Sequence, residues 1–314
     1  MVENSRISWT DHTFNGWIGC TKISEACQFC YAERDWDHRF HRVIWGPKGA
    51  RSLTSDTTWR EPLRWDAEAK RLGIRYRVFA NSLSDVFDDH PSIEPAWRGR
   101  LWRLIDGTPN LDWLLLTKRP ENWHRFLPSI NPESFPNIRL GISIENQERA
   151  DERARQLVEY AGIGWPTFVS YEPACGPVDW EPLLNDQAIG WLIAGGESGP
   201  KARPSHPDWF RVARDACARH AVPFHFKQWG EWWEADSDAR DEEGHHIQVE
   251  TDSLVAREMF DPKIDCLVAP DGKVFHRPGS IPPGIPCRLM TRLGRKVAGR
   301  TLDGIEHDAF PVAA

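Results

Sequence analysis

The 314-residue sequence has no long hydrophobic run; its longest apolar stretches, at 113–116 and 191–194, are only strand-sized. A transmembrane helix needs about 20 predominantly apolar residues, so no membrane association is expected. The first residues, Met1 to Arg6, lack the charged-then-apolar layout of a secretory leader. The expected location is therefore the cytoplasm. Positive charge is not in excess: 39 Lys and Arg stand against 46 Asp and Glu, a net charge of −7. That excludes a polycationic nucleic-acid coat. No internal repeat of solenoid length is present. No Gly-x-Gly-x-x-Gly follows the first predicted strand, which argues against a dinucleotide-binding sheet. At 40% hydrophobic and 27% charged residues, the chain is neither collagen-like nor wholly disordered.

Local contrasts sit beneath that average. Residues 33–77 carry 11 basic and 7 acidic side chains, with Trp36, Trp45, Trp59 and Trp65 among them. Residues 231–261 reverse the balance, with 11 acidic against 2 basic, and residues 287–300 hold five basic residues and no acidic one. Tryptophan occurs 17 times, far above its ordinary share, so some indoles are available for a binding surface as well as for cores. The seven cysteines are an odd number; in a cytosolic chain they point to metal binding or catalysis rather than a disulfide framework.

Short apolar runs predict strands at 13–18, 77–80, 113–117, 139–144, 167–171, 191–194 and 224–227, most of them ending in polar or glycine-rich loops. Helical periodicity predicts helices at 95–105, stopped by Gly107, and at 146–160 and 208–220. Strands alternating with helices imply parallel βαβ units. The fold class expected is α/β, a partial or complete parallel (β/α) barrel over residues 1–230. Residues 231–314 are expected to form an appendage: an acidic stretch at 235–250, a small hairpin about Asp271-Gly272 and a basic segment at 288–300.

The sharpest chemical signal is Cys20, Cys27 and Cys30, three thiols within eleven residues just beyond the first strand. As thiolates they suit soft metals or an iron–sulfur cluster. Three ligands leave one iron of a four-iron cluster open, whereas a closed zinc site needs a fourth ligand, for which His12, His38 and His41 are at hand. Cys175, Cys217, Cys266 and Cys287 are isolated, and Cys217 lies on a helical apolar face that suits a core.

Cys27-Gln28-Phe29-Cys30, with an aromatic before the last cysteine, resembles the distal half of the radical S-adenosylmethionine signature; the first gap here is six residues where three are usual. A wider set resembles one family of phage-associated three-cysteine proteins. It comprises Ser8-Trp9-Thr10 with Thr13-Phe14-Asn15, Gly19-Cys20-Thr21, Cys30-Tyr31-Ala32-Glu33, Asn81-Ser82-Leu83-Ser84-Asp85, Leu116-Thr117-Lys118-Arg119-Pro120, Gly141-Ile142-Ser143-Ile144-Glu145-Asn146, Gly195-Gly196-Glu197-Ser198-Gly199, Phe226-Lys227-Gln228-Trp229-Gly230 and the ending Gly299-Arg300-Thr301-Leu302-Asp303-Gly304. The resemblance implies a barrel of the radical S-adenosylmethionine type. It also implies a [4Fe–4S] cluster on Cys20, Cys27 and Cys30, S-adenosylmethionine as cosubstrate, a 5′-deoxyadenosyl radical acting on an unidentified substrate, and a flavodoxin- or ferredoxin-type electron donor.

In a (β/α) barrel functional side chains gather at the carboxyl ends of strands, and the polar clusters fall there. Phe29, Asn81, Ser82, Ser84, Asp85, Ser143, Glu145, Gly195 and Gly196 are the expected cofactor-binding residues. Glu197, Glu172 and Lys118 are the expected catalytic ones. Gly195-Gly196-Glu197 resembles the element that receives the methionine amine, although here it follows about the sixth strand rather than the second. A divalent-metal site on Asp85, Asp88 and His90 is a weaker alternative, as is a hydrolase using Glu172 and Glu197 as acid and base. The rival class is a nucleic-acid-binding protein with a structural metal, in which the cations of 34–77 meet phosphates and its indoles stack on bases.

Overall fold

The computed structural model describes residues 5–235 and 260–311. Most of the acidic stretch expected at 235–250 lies outside them. The chain is α/β and is built on seven strands. These are β1 (His12–Phe14), β2 (Tyr76–Ala80), β3 (Leu111–Thr117), β4 (Ile138–Ser143), β5 (Thr167–Tyr171), β6 (Leu192–Gly195) and β7 (Phe224–Gln228). Their order in the sheet is their order in the chain, and the described ladders are parallel. Sequential parallel strands joined by helices are the topology of a (β/α) barrel, here a partial one.

Strand sequences follow from double burial. In β3, Leu111, Trp113, Leu114 and Leu115 are all buried, so the run is apolar throughout instead of alternating. Gly141 in β4 admits the ring of Phe168 from β5: a Cβ there would lie 2.1 Å from it. The single strand expected at 13–18 is two. The chain leaves the sheet after Phe14, and Trp17–Ile18 pairs antiparallel with Ser52–Leu53.

Helix α1 (Asp56–Leu72) runs from an N-cap at Ser55 to Gly73, whose φ of 67° ends it in the left-handed region. Its Trp59 and Trp65 are buried; Trp65 stacks on His12 with ring centroids 4.3 Å apart. These two indoles are therefore core side chains, not a stacking surface for bases. Helix α2 (Pro95–Asp106) starts with proline and stops at Gly107, as its sequence indicates. Helices α3 (Gln147–Gly162), α4 (Glu181–Asn185) and α5 (Pro207–Arg219) follow.

The chain forms two compact units. One comprises Met1–Ile144, Asp151–Ser170 and Leu183–Trp191; the other comprises Glu145–Ala150, Tyr171–Pro182 and Leu192–Ala314. The second contains a four-stranded antiparallel sheet of β8 (Trp232–Glu234), β9 (Asp265–Val268), β10 (Val274–Phe275) and β11 (Arg288–Arg292), in the order β8-β11-β9-β10. The β9–β10 hairpin turns at Gly272, φ 89°, as the Asp271-Gly272 pair predicts. Trp209 of α5 ties this sheet down, its indole N–H donating to Pro270 O at 2.8 Å. Among the described residues no helix is long and apolar enough to cross a membrane.

Candidate functional site

In the first unit the ends of β1 to β4 converge on the cysteine loop. Asn15, just past β1, donates to Ser82 Oγ at 3.1 Å, while its Oδ1 accepts from Leu83 N at 2.7 Å. Asn81 at the end of β2 adopts φ 59°, a conformation asparagine tolerates. Its Oδ1 accepts from Gly16 N at 3.1 Å, while its buried Nδ2 has no partner among the described residues. Ser84 Oγ donates to Trp17 O and Tyr31 Oη to Ser82 O, both at 2.8 Å. The loop after β2 and the chain leaving β1 therefore brace one another.

Asp85 is turned inward. Its carboxylate accepts from Thr117 Oγ1 at 2.8 Å, Phe87 N at 2.9 Å and Arg119 Nη1 at 3.0 Å. Asp88 accepts from Arg51 Nη2 at 2.6 Å, and His90 Nδ1 lies 2.8 Å from Ser92 Oγ. The three side chains weighed as a divalent-metal site are thus each engaged elsewhere. Lys118 Nζ donates to Ser143 Oγ at 2.9 Å, and Ser143 O accepts from Arg153 at 2.5 Å. Arg51 and Arg153 escaped the sequence reading because no local pattern singles them out.

All three motif cysteines are free thiols of intermediate exposure. Cys27 lies 3.6 Å from Ser24 Oγ, and Cys30 N donates to Cys27 O at 3.4 Å. Phe29 lies between them in sequence and is half-buried. Cys20 accepts from Arg119 Nη1 at 3.7 Å. Burial pushes the Cys20 thiol up to about 12; Arg119 pulls the other way, and Asp85 and Asp88 reinforce the burial. Burial also raises Cys30, against the backbone N–H groups of Glu33 and Ala32. Burial disfavours the Arg119 charge as well, but Asp85, Cys20 and Asp88 outweigh it and hold the guanidinium above its ordinary pKa.

The second unit holds the remaining expected residues. Glu145 is buried, and its carbonyl accepts from Cys175 N at 2.7 Å. Glu172, just after β5, lies 3.1 Å from Lys227 Nζ. A Cβ on Gly195 would meet Glu172 Oε1 at 2.6 Å, and one on Gly196 would meet Trp229 O at 1.9 Å. The glycine pair thus makes room for a carboxylate and for a closely approaching backbone. Glu197 is 7% exposed, and Arg203, which the sequence reading missed, holds both its oxygens.

One family matches residues 4–311 and is described as "Protein of unknown function (DUF5131)". The chain belongs to that family. A comparison with curated proteins gave no match. Among solved structures, the chain is similar to a cysteine-to-serine mutant of spore photoproduct lyase, with 14% identity over 69% of this chain and 74% of that one and a TM-score of 0.45. It is also similar to a double mutant of the same enzyme with bound AdoMet and dinucleoside spore photoproduct, with 15% identity, 69% and 63% coverage and a TM-score of 0.44.

Among the described residues no three His, Cys, Asp or Glu side chains are gathered into a group ready to hold a metal ion. The donor chemistry fits an iron–sulfur cluster: three free thiols lie within eleven residues, Cys20 accepts from the Arg119 guanidinium, and the unpartnered Asn81 Nδ2 is available to a polar ligand. Assembly of such a site must draw residues 20–30 together and release the thiol protons.

Proposed function

We propose that the protein is an iron–sulfur enzyme of the radical S-adenosylmethionine type. The observation that carries the reading is the set of three free, half-buried thiols on the loop after the first strand of a sequential parallel sheet, one of them bonded to a buried arginine. Cys20, Cys27 and Cys30 would hold a [4Fe–4S] cluster. When bound and reduced, that cluster supplies the electron that cleaves S-adenosylmethionine to methionine and a hydrogen-abstracting 5′-deoxyadenosyl radical.

This chain's residues hold, orient and exclude. Arg119 balances the charge of Cys20, and Asp85 fixes Arg119. Asn81 offers its Nδ2 to a ligand carboxylate, and the buried strand ends around it exclude water. Phe29 would pack beside the bound cluster or the adenine. Lys118, fixed by Ser143, is the proton donor we assign, while Glu172 and Glu197 are proposed as carboxylates for a ligand ammonium, with Gly195 and Gly196 allowing close backbone approach. Ser82, Ser84 and Glu145 keep a supporting role through the backbone contacts above. An electron donor of flavodoxin or ferredoxin type is part of the same proposal, as is a cytoplasmic location.

The test is anaerobic reconstitution with iron and sulfide, followed by reduction in the presence of S-adenosylmethionine. Cluster absorption and 5′-deoxyadenosine formation support the reading. Zinc on the cysteines with no iron uptake sinks it.

A second reading, nucleic-acid binding, is favoured by one observation. Phe40, Arg39, Arg42 and Lys48 are exposed, and the Arg39 guanidinium lies 5.2 Å from the Phe40 ring centroid. Cations beside an exposed ring suit a single strand. A salt-dependent gel shift that Phe40→Ala and Arg42→Ala both weaken would support it.

A further inference from the structure

Four buried charged side chains tie the cysteine loop to the ends of β2 and β3. Arg51, Asp85, Asp88 and Arg119 are between 0% and 9% exposed at their side chains. Arg119 Nη2 donates to Thr21 O at 2.7 Å while Nη1 reaches Asp85 Oδ2 and Cys20 Sγ. Arg51 Nη2 donates to Thr21 Oγ1 at 2.7 Å and to Asp88 Oδ2 at 2.6 Å. Arg51 Nη1 fixes the carbonyls of Gly46 and Gly49, and Gly46 N donates back to Cys20 O at 2.9 Å. Residue 119 is thereby joined to residues 20 and 21, 99 and 98 positions away respectively.

The quartet is neutral by formal charge, two arginines against two aspartates. Such buried ion networks seldom add stability over apolar packing of the same volume; what they supply is fixed direction. Here the direction is toward one sulfur. Among the described residues, the hydrogen-bond partners of the Cys27 and Cys30 sulfurs are local, Ser24 Oγ and the backbone N–H groups of the following turn, and the charge of Lys118 acts on Cys30 without bonding to it.

We infer that Arg119 is a positioning residue for Cys20. It holds that sulfur as the fixed, cation-paired ligand onto which Cys27 and Cys30 close when a soft metal binds. The inference rests on the proposed metal role of the three thiols but not on iron, sulfide or S-adenosylmethionine. A guanidinium suits the task because its planar fork reaches the aspartate, the carbonyl and the sulfur together. An N–H donor to a metal-bound thiolate also lowers the energy of the sulfur lone pair, so its removal moves the sulfur-to-metal charge-transfer band to longer wavelength.

The test is an anaerobic titration of the metal-free full-length protein with cobalt(II), following the thiolate-to-cobalt band. Arg119→Met is compared with wild type. Arg119→Met/Asp85→Asn is included because it keeps the quartet neutral if the single variant fails to fold. Affinity should fall about tenfold or more, the band should shift to longer wavelength, and amide hydrogen exchange should rise at residues 19–24. Arg119→Lys should not restore the band position, lacking the fork. Wild-type affinity and band position in the folded double variant would overturn the inference, as would a wild-type protein that shows no thiolate–cobalt band. The predicted cobalt result without S-adenosylmethionine cleavage removes the proposed reaction and leaves the positioning role standing.

Discussion

Arg203 grips Glu197 with a two-pronged contact: Nη2 donates to Oε1 at 2.7 Å and Nε to Oε2 at 2.8 Å, and the backbone N–H of Arg203 adds a third bond at 2.8 Å. A bidentate pair of this kind fixes the carboxylate geometrically as well as energetically. Any ligand ammonium that uses Glu197 must share it with Arg203.

The first prediction separates holding from binding. Arg203→Ala leaves a nearly buried carboxylate without its cation and should cost about 2 kcal/mol of stability, read as a lower urea midpoint. Glu197→Gln keeps the shape. If Glu197 receives the ammonium of S-adenosylmethionine, calorimetric affinity should drop roughly 10- to 150-fold while iron content is unchanged. Equal affinity in Glu197→Gln and wild type would reduce Glu197 to a structural partner of Arg203.

Adjacent glycines should behave differently. Gly196→Ala places a methyl 1.9 Å from Trp229 O and 3.6 Å from Gly230 N. Backbone cannot easily yield, so a loss of about 3 kcal/mol is expected. Gly195→Ala meets mainly the far end of the Glu172 side chain, at 2.6 Å, which can rotate. It should cost only about 1 kcal/mol while displacing Glu172 from Lys227. Thermal melts of both variants check the contrast; equal midpoints would contradict it.

Cys20→Ala, Cys27→Ala and Cys30→Ala should each abolish cluster binding, since each removes one thiolate from a set of three. Cys217 is fully buried on α5, and burial pushes its thiol up to about 12, so it is a core side chain. Cys217→Ala should keep full iron and sulfide content and lose about 1 kcal/mol of stability. Iron loss in Cys217→Ala equal to that in the motif variants would contradict the assignment.

What the sequence made legible, and what it hid, follows from range. The strand expected at 167–171 is Thr167–Tyr171, because a doubly covered strand is a short apolar run that declares itself locally. Helix α1 was hidden: its Trp59 and Trp65 are spaced among charged residues and a mid-helix Pro62, so the segment reads as a basic, Trp-rich surface. The three thiols were legible as a motif just past the first strand, and the structure keeps all three free there. The partners of those cysteines were not: Arg119 meets Cys20 from 99 residues away and Arg51 meets Asp88 from 37, distances at which no periodicity operates. Even the nearer Arg203 gave no signal, since a lone arginine in a loop carries no pattern.

The last prediction concerns acid. His206 is buried at the N-terminus of α5, where its Nδ1 accepts from Asp208 N at 3.2 Å. An accepting Nδ1 must be unprotonated. Burial lowers the imidazole pKa to about 4, against the pull of Asp208, with Arg288 and Arg211 reinforcing the burial. Above the unfolded value of 6.5, both states are neutral and the cap contributes fully. As pH falls from about 6.5 toward 4, the unfolded chain binds a proton that the folded protein refuses. Stability therefore drops by up to about 1.4 kcal/mol per pH unit, for a total of about 3 kcal/mol. Below about 4 both states are protonated and the loss levels off. His206→Asn keeps a capping oxygen and removes the titration. Urea midpoints measured at pH 7 and pH 5 should converge for the variant and separate for wild type. An unchanged gap between the two pH values in His206→Asn would assign the acid sensitivity to other groups.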